Sequence, residues 1–354
     1  MGIIRILFVA DTHLGFDLPF RPRIKRRRRG PDFFANFERA LLPAFNGEVD
    51  AVVHGGDVLY RSKVPARLVE MAFEPLKRVA DAGIPVYLVP GNHERSAIPH
   101  GYLVEHASIH IFDHPRTFVL QTTSGAVALA GFPFVRTGIR RDFLSIVEQT
   151  GWREVKADSC ALCLHQSIDS ASVGPSDYTF RYAHDVIRIS DIPREFCATL
   201  AGHIHRFQVL TKDLKGRTLK APVFYPGSIE RTSFAEKNEK KGYLILELET
   251  AETSPGKLRN WTFHELPARP MIQLELHATG MNRNRIQAWI ESRLFEIPPD
   301  SIVKLKVHGN VSKEAMAVFS APSLRGLAPE TMNISATLVE YTFYRSRRQN
   351  ISKS

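Results

Sequence analysis

The sequence predicts an α/β protein in which two mixed β-sheets form a sandwich flanked by helices, followed by a small second α/β unit. Three observations predict it. Strand-like and helix-like segments alternate from the N-terminus through residue 89, and a βαβαβ order calls for a parallel sheet with helical crossovers. The middle of the chain is dominated by short apolar strands, which makes the sheet mixed. A stiff Pro267-Ala268-Arg269-Pro270 junction then interrupts the chain, and the strand–helix–strand pattern restarts beyond it.

Residues 3–10 are apolar apart from Arg5 and lead into a polar motif, not a small-residue cleavage site. They read as a buried strand and not as a signal peptide. Residues 32–45 place Phe33, Phe37, Ala40, Leu41 and Ala44 along one side of a helix. A short strand follows at 49–54. A second helix at 66–82 carries Leu68, Met71, Ala72, Leu76 and Val79 and stops at Gly83, and a third strand lies at 85–89. Strands at 117–121 and 126–131 flank a hairpin turn, and a helix covers 139–150. Further strands are expected at 159–165, 197–202, 207–211, 223–225, 243–248 and 261–266. The division is therefore residues 1–266, then 271–344, then a basic tail at 345–354. The second unit reads as strand 271–277, helix 282–295, strand 301–307, an irregular or helical stretch, and strand 334–341.

A chain of 354 residues fits about two domains. No apolar run approaches the ~18–20 residues of a membrane span, so no membrane association is expected. Three cysteines are too few and too odd in number for a disulfide framework and fit a reducing cytoplasm. Cys160 and Cys163 form a C-x-x-C, but within the apolar run Cys160-Ala161-Leu162-Cys163-Leu164 and with no partner pair to complete a zinc tetrahedron. They read as buried strand cysteines. The net charge of +10 favours a polyanionic partner, nucleic acid first.

Five short motifs stand just past predicted strands: Asp11-Thr12-His13, Gly55-Gly56-Asp57, Gly91-Asn92-His93-Glu94, His165-Gln166 and Gly202-His203-Ile204-His205. Each is weak alone, since a lone strand-end histidine is more often a hydrogen-bonded loop residue. Together they fall where α/β sheets bind ligands, at the carboxyl ends of strands. Alternate residues of an extended segment point the same way, so D-x-H and H-x-H each aim two donors at one centre. The donors are carboxylate, imidazole and amide oxygen without thiolate, a set suited to Mn²⁺, Fe²⁺ or catalytic Zn²⁺. Seven donors exceed one tetrahedral ion but fit two ions ~3.5–4 Å apart that share a carboxylate.

The order D-x-H, G-D, G-N-H-[DE], H, G-H-x-H resembles the calcineurin-like metallophosphoesterase superfamily over about residues 3–249. The resemblance implies a four-layer sandwich of two mixed β-sheets flanked by helices. It implies that Asp11, His13 and His205 hold one metal, that Asn92, His165 and His203 hold a second, and that Asp57 bridges them. His93 would contact the scissile phosphate and protonate the leaving oxygen. More narrowly, Asp11-Thr12-His13-Leu14-Gly15 and the Tyr225-Pro226-Gly227-Ser228 to Phe234 segment resemble the double-strand-break-repair nucleases, the type found as the nuclease subunit of the bacterial SbcCD complex. That implies a DNA exonuclease or endonuclease acting in repair, with manganese as the usual metal and Fe²⁺, Mg²⁺ or Zn²⁺ as alternatives. It also implies a DNA-capping role for the second unit, a homodimer, an SMC-like ATPase partner of the SbcC type, and a cytoplasmic, nucleoid-associated location. The sequence departs from that pattern at Tyr60, where Asp or His is more usual, and at Glu94, where Asp is. The chain also ends soon after the second unit, leaving little for an ATPase-docking segment. A phosphatase or cyclic-nucleotide phosphodiesterase on the same scaffold is the alternative.

Several residues admit a bland reading beside a functional one. Arg26, Arg27, Arg28 and Arg29 form either a solvated loop or a DNA-backbone grip overhanging the metal motifs. Tyr60 can stack on a base or pack in the core. Ser228 belongs to an ordinary turn or to the substrate site, and Arg231 can reach a phosphate. His54 reads as a satisfied core histidine, while His100, His106, His110 and His114 read as loop residues.

Overall fold

The computed structural model describes residues 2–22, 24–94, 106–174, 177–250 and 256–339. The basic tail at 345–354 and His100 lie outside the described residues.

Among those residues the chain divides into two compact units. The first comprises Met1–Arg21 with Arg28–Ala268, and the second comprises Pro22–Arg27 with Arg269–Ser354. The first is built on two six-stranded sheets. In one, Gly2–Val9, Ala51–His54, Val86–Leu88 and Ile109–Ile111 run parallel, Gly242–Thr250 pairs antiparallel with Gly2–Val9, and Lys257–Glu265 pairs antiparallel with Gly242–Thr250 at the edge. In the other, Gly125–Gly131, Ser159–His165, Ala198–Gly202 and Thr218–Tyr225 are parallel, with Arg116–Thr122 and Gln208–Lys212 antiparallel at the edges.

Strand alternation decides the layers. On Gly2–Val9, Leu7 and Val9 face outward to the helices, while Ile4, Ile6 and Phe8 face the second sheet. The outer helices Gly30–Phe45 and Ala66–Asp81 bury Phe33, Phe37, Leu41, Leu68, Leu76 and Val79 against Val52, Val86 and Leu88. Helix Ile139–Glu148 covers the far face of the second sheet through Ile139, Phe143 and Val147. The result is helix, sheet, sheet, helix, a mixed four-layer sandwich. The first helix begins two residues before its sequence pattern, because Pro31 sits in its first turn, where its missing N–H is no loss. All three cysteines are free, and Cys163 is packed between the sheets.

The second unit is a three-stranded parallel sheet ordered Met271–His277, Ile302–His308, Asn333–Val339. Helix Arg283–Phe295 makes the first crossover and buries Ile286, Ile290 and Leu294 at four-residue spacing. Asn282 caps it, its side chain accepting from the Arg285 N–H at 2.9 Å. The second crossover, irregular or helical by sequence, holds two short helices, Lys313–Met316 and Ala321–Leu327, each capped by a serine. Segment Pro22–Arg27 belongs here because Arg27 N–H donates to the Glu330 carbonyl and the Asn333 amide donates to the Arg27 carbonyl.

Candidate metal centre

Parallel registry brings the motif-bearing strand ends together. Val9 pairs with His54 and His54 with Leu88, so Asp11, Asp57 and the 91–94 turn all leave the same edge. In the second sheet Gly202 is level with His165. The backbone then bends sharply to aim side chains inward. Asp11 (φ 52°), His13 (44°), Asp57 (54°) and His203 (89°) all occupy the left-handed region. Such a conformation costs a non-glycine residue of order 1–3 kcal/mol, and it clusters at functional sites. Gly91 has no room for a side chain, since a Cβ there would stand 2.3 Å from Asp57 Oδ1.

The side chains meet in three overlapping groups: Asp11, His13 and His205; His13, Asp57 and His93; and Asp11, Asp57 and His165. Within each, one potential ligand atom per residue lies within 4.8 Å of the others. Asp57 belongs to two of the groups. His13 Nε2 and His205 Nε2 approach to 2.9 Å. On the other side, Asn92 Oδ1 meets His165 Nε2 at 3.2 Å and His203 Nδ1 at 3.0 Å. His165 Nε2 stands 3.5 Å from Asp57 Oδ2. All seven donors named from the motifs are thus collected in one place. His93 differs from Asp57 in exposure: its side chain is 30% exposed against 4%. Its Nε2 lies 3.8 Å from Asp57 Oδ2, and its Nδ1 faces the Leu59 carbonyl at 3.1 Å.

The electrostatics suit a cation site. Burial, reinforced by neighbouring imidazoles, lowers His13 and His203 to about 3, so both are neutral donors. Burial raises Asp11 to about 6. Burial also opposes charge on His165, but the Asp57 carboxylate outweighs it and lifts this imidazole to about 9. In return, His165 holds Asp57 well below the carboxylate range against the effect of burial. Divalent ions fit this set of anionic and neutral donors. A carboxylate pair and several buried lone pairs converge, and His165 Nδ1, against the Gly55 carbonyl at 2.7 Å, has its ring orientation fixed from behind.

The Asp57 carboxylate favours the protonated form of His165, so an ion taken up by this residue would have to displace that proton, because only the neutral ring is a ligand. Affinity should therefore climb as pH rises towards about 9 and weaken below it. Calorimetric titration with a divalent ion at pH 7, in buffers of different ionisation heat, should show release of roughly one proton from this histidine. Zero proton release would contradict the His165 assignment.

Two residues stand behind the converging side chains. Glu94 is buried. It accepts from the N–H groups of Asp57 (2.8 Å), Gly91 (2.9 Å) and Leu59 (3.0 Å), tying two motif loops together. Burial, with the nearby Asp57 charge, raises it to about 8. His54 is a satisfied core histidine: its Nδ1 accepts from Gly56 N–H at 3.1 Å, and its Nε2 meets the Thr12 hydroxyl at 3.1 Å. Phe134, which the motifs do not mark, lies against the rings of His165 and His203.

The expected substrate contacts fare differently. The four arginines do not form one exposed loop. Arg26 and Arg27 belong to the second unit, Arg28 and Arg29 to the first. Arg28 pairs with Asp17 at 3.1 Å. Arg29 is buried: its guanidinium donates to the Arg231 carbonyl and packs over Phe16 and Phe33. Its flat, weakly hydrated head suits such a place, so Arg29 is a folding residue and not a DNA grip. Ser228 is also fully buried, its hydroxyl donating to the Glu230 carbonyl at 2.8 Å, so it shapes the turn and does not face a substrate. Arg231 is mostly buried and donates to the Lys237 carbonyl at 2.7 Å. Tyr60 packs against the core, with Arg61 over its ring.

Residues 4–207 match the family model described as calcineurin-like phosphoesterase, more than half of the chain. The chain belongs to that family. The phosphoesterase is similar to proteins named DNA double-strand break repair protein Mre11 from three organisms. That of Methanosarcina mazei is 28% identical over 318 residues, 87% of this chain and 46% of that protein. That of Aeropyrum pernix is 27% identical over 286 residues, 77% of this chain and 63% of that protein. That of Saccharolobus solfataricus is 26% identical over 216 residues, 60% of this chain and 52% of that protein. The chain thus spans about half the length of the curated relatives it matches. Among the described residues of the phosphoesterase, no helix is long and apolar enough to cross a membrane.

Proposed function

We propose that this phosphoesterase is a DNA nuclease that hydrolyses phosphodiester bonds with two divalent ions, Mn²⁺ by preference, in double-strand break repair. The observation that carries the reading is Asp57. Its carboxylate groups with Asp11 and His13, of one proposed ligand set, and lies 3.5 Å from His165 Nε2, of the other, which is where a bridging ligand would stand. Asp11, His13 and His205 would hold one ion, and Asn92, His165 and His203 the other. Bound there, the ions would supply an activated water and positive charge for the phosphoryl oxygens. His93, a partly exposed imidazole 3.8 Å from the Asp57 carboxylate, donates a proton to the departing oxygen.

DNA as substrate is supported by the similarity to Mre11 proteins, which runs over most of the chain in the Methanosarcina mazei alignment, and by the net charge of +10. The second unit would cap the DNA, with Arg26 and Arg27 on it as backbone contacts. A homodimer, an SMC-like ATPase partner and a cytoplasmic, nucleoid-associated location complete the reading.

The test is Mn²⁺-dependent degradation of end-labelled linear duplex and circular single-stranded DNA. Cleavage that stops on chelation is the expected outcome, and the products separate exonuclease from endonuclease action. Intact DNA alongside rapid turnover of phosphopeptides or cyclic nucleotides would move the enzyme to the phosphatase or cyclic-nucleotide class.

A further inference from the structure

Behind His205 lies a buried ionic cluster that hydrolysis at the centre does not call for directly. The Lys241 side chain is fully buried. Its ammonium donates to Glu236 Oε2 at 2.7 Å, Glu239 Oε2 at 2.9 Å and the His205 carbonyl at 2.7 Å, which uses all three of its protons. Glu236 Oε1 accepts from the Thr232 hydroxyl at 2.6 Å and the Ser233 hydroxyl at 3.2 Å, and faces His205 Nδ1 at 3.5 Å. Arg206, next in the chain after His205, closes the cluster on Glu239 Oε1 at 3.1 Å.

Stability does not explain this arrangement. Taking several charges out of water consumes most of what their attraction returns, and apolar packing of similar volume does as well or better. What the cluster does supply is geometry: it grips His205 at both ends, the backbone through Lys241 and the ring through Glu236 Oε1 at 3.5 Å together with the Thr232 hydroxyl at 3.4 Å. A carboxylate against the distal ring nitrogen sets the orientation and basicity of a metal-binding imidazole. The support is also one-sided, because His165 in the other half of the centre leans on the neutral Gly55 carbonyl instead.

We propose that Glu236, held in place by Lys241 and Thr232, is the positioning residue of the Asp11–His13–His205 metal position, directing His205 Nε2 towards His13 and Asp11, and that it acts on this position alone. The proposal rests on the reading of the centre as a two-ion site.

The experiment is Mn²⁺ binding to the metal-stripped full chain, followed by the paramagnetic resonance of free Mn²⁺, with the thermal midpoint in chelator as the check on folding. The parent should bind two ions. Glu236→Gln should weaken one of them by about ten- to a hundredfold and leave the other within about threefold. Glu236→Asp should fall between parent and Gln variant. The weakened ion should be the one that His13→Ala also loses. If Glu236→Gln does not fold, Thr232→Val decides, since it removes the hydroxyl that donates to the carboxylate at 2.6 Å and stands 3.4 Å from His205 Nδ1. A severalfold weakening of the same ion is expected, and unchanged binding overturns the proposal. A folded Glu236→Gln chain that keeps both ions, or weakens both equally, overturns it while sparing the two-ion reading. A parent chain that binds no Mn²⁺ overturns both.

Discussion

Asp57→Asn should reduce hydrolysis of DNA, and of a simple aryl phosphodiester, by about a thousandfold or more, with both ions held far more weakly. The expectation follows from how much converges on one carboxylate. Asp57 Oδ2 lies 3.5 Å from His165 Nε2 and 3.8 Å from His93 Nε2, while its Oδ1 accepts from the His93 N–H at 3.0 Å. Asparagine keeps an oxygen for that last bond, so the backbone at His93 stays anchored. What goes is the negative charge between the two halves of the centre. The variant has a second signature. Asp57 is what lifts His165 to about 9, so without it the imidazole should titrate lower. Any residual metal uptake should then lose its pH dependence between neutrality and pH 9. Metal content, circular dichroism and turnover on one preparation would decide. A folded Asp57→Asn chain with near-parental turnover would remove the bridging role.

His93→Ala should behave differently: about a hundred- to ten-thousandfold loss of turnover on DNA with both ions still bound. His93 keeps a 30% exposed side chain beside Asp57, and the Leu59 carbonyl stands against its Nδ1 at 3.1 Å. A group that protonates a departing oxygen matters in proportion to how poorly that oxygen leaves. The loss should therefore shrink by an order of magnitude or more on a phosphodiester with a nitrophenyl leaving group, which needs little protonation. Equal losses on both substrates, or a fall in bound metal, would make His93 a ligand or a binding residue instead.

The layers of the fold were legible because apolar alternation is local. The side chains of residues 3–10 sort into those facing helices and those facing the second sheet by parity alone. Boundaries were less so. The strand Ile109–Ile111 and the first half of Thr218–Tyr225 carry too little apolar pattern to show without their neighbours.

At the centre, the sequence by itself picked out the side chains that converge. Aspartate, histidine and asparagine at strand ends, with glycines beside them, are a costly set to bury, and their types and spacing betray the chemistry wherever the chain takes them. Only the tertiary structure decided which groups stand behind them. His13 and His205 are 192 residues apart yet 2.9 Å in space. Glu94 reaches back 37 residues to Asp57, and Lys241 reaches back 36 to His205. Arg29 and Ser228 look like substrate contacts in the sequence, and the fold buries both, Arg29 under Phe16 and Phe33 and Ser228 in its own turn. The physical reason is that a ligand is recognised by what it is, whereas a supporting carboxylate, a buried cation or an exposed grip is defined by what other segments bring against it. That depends on long-range packing, which no local pattern records.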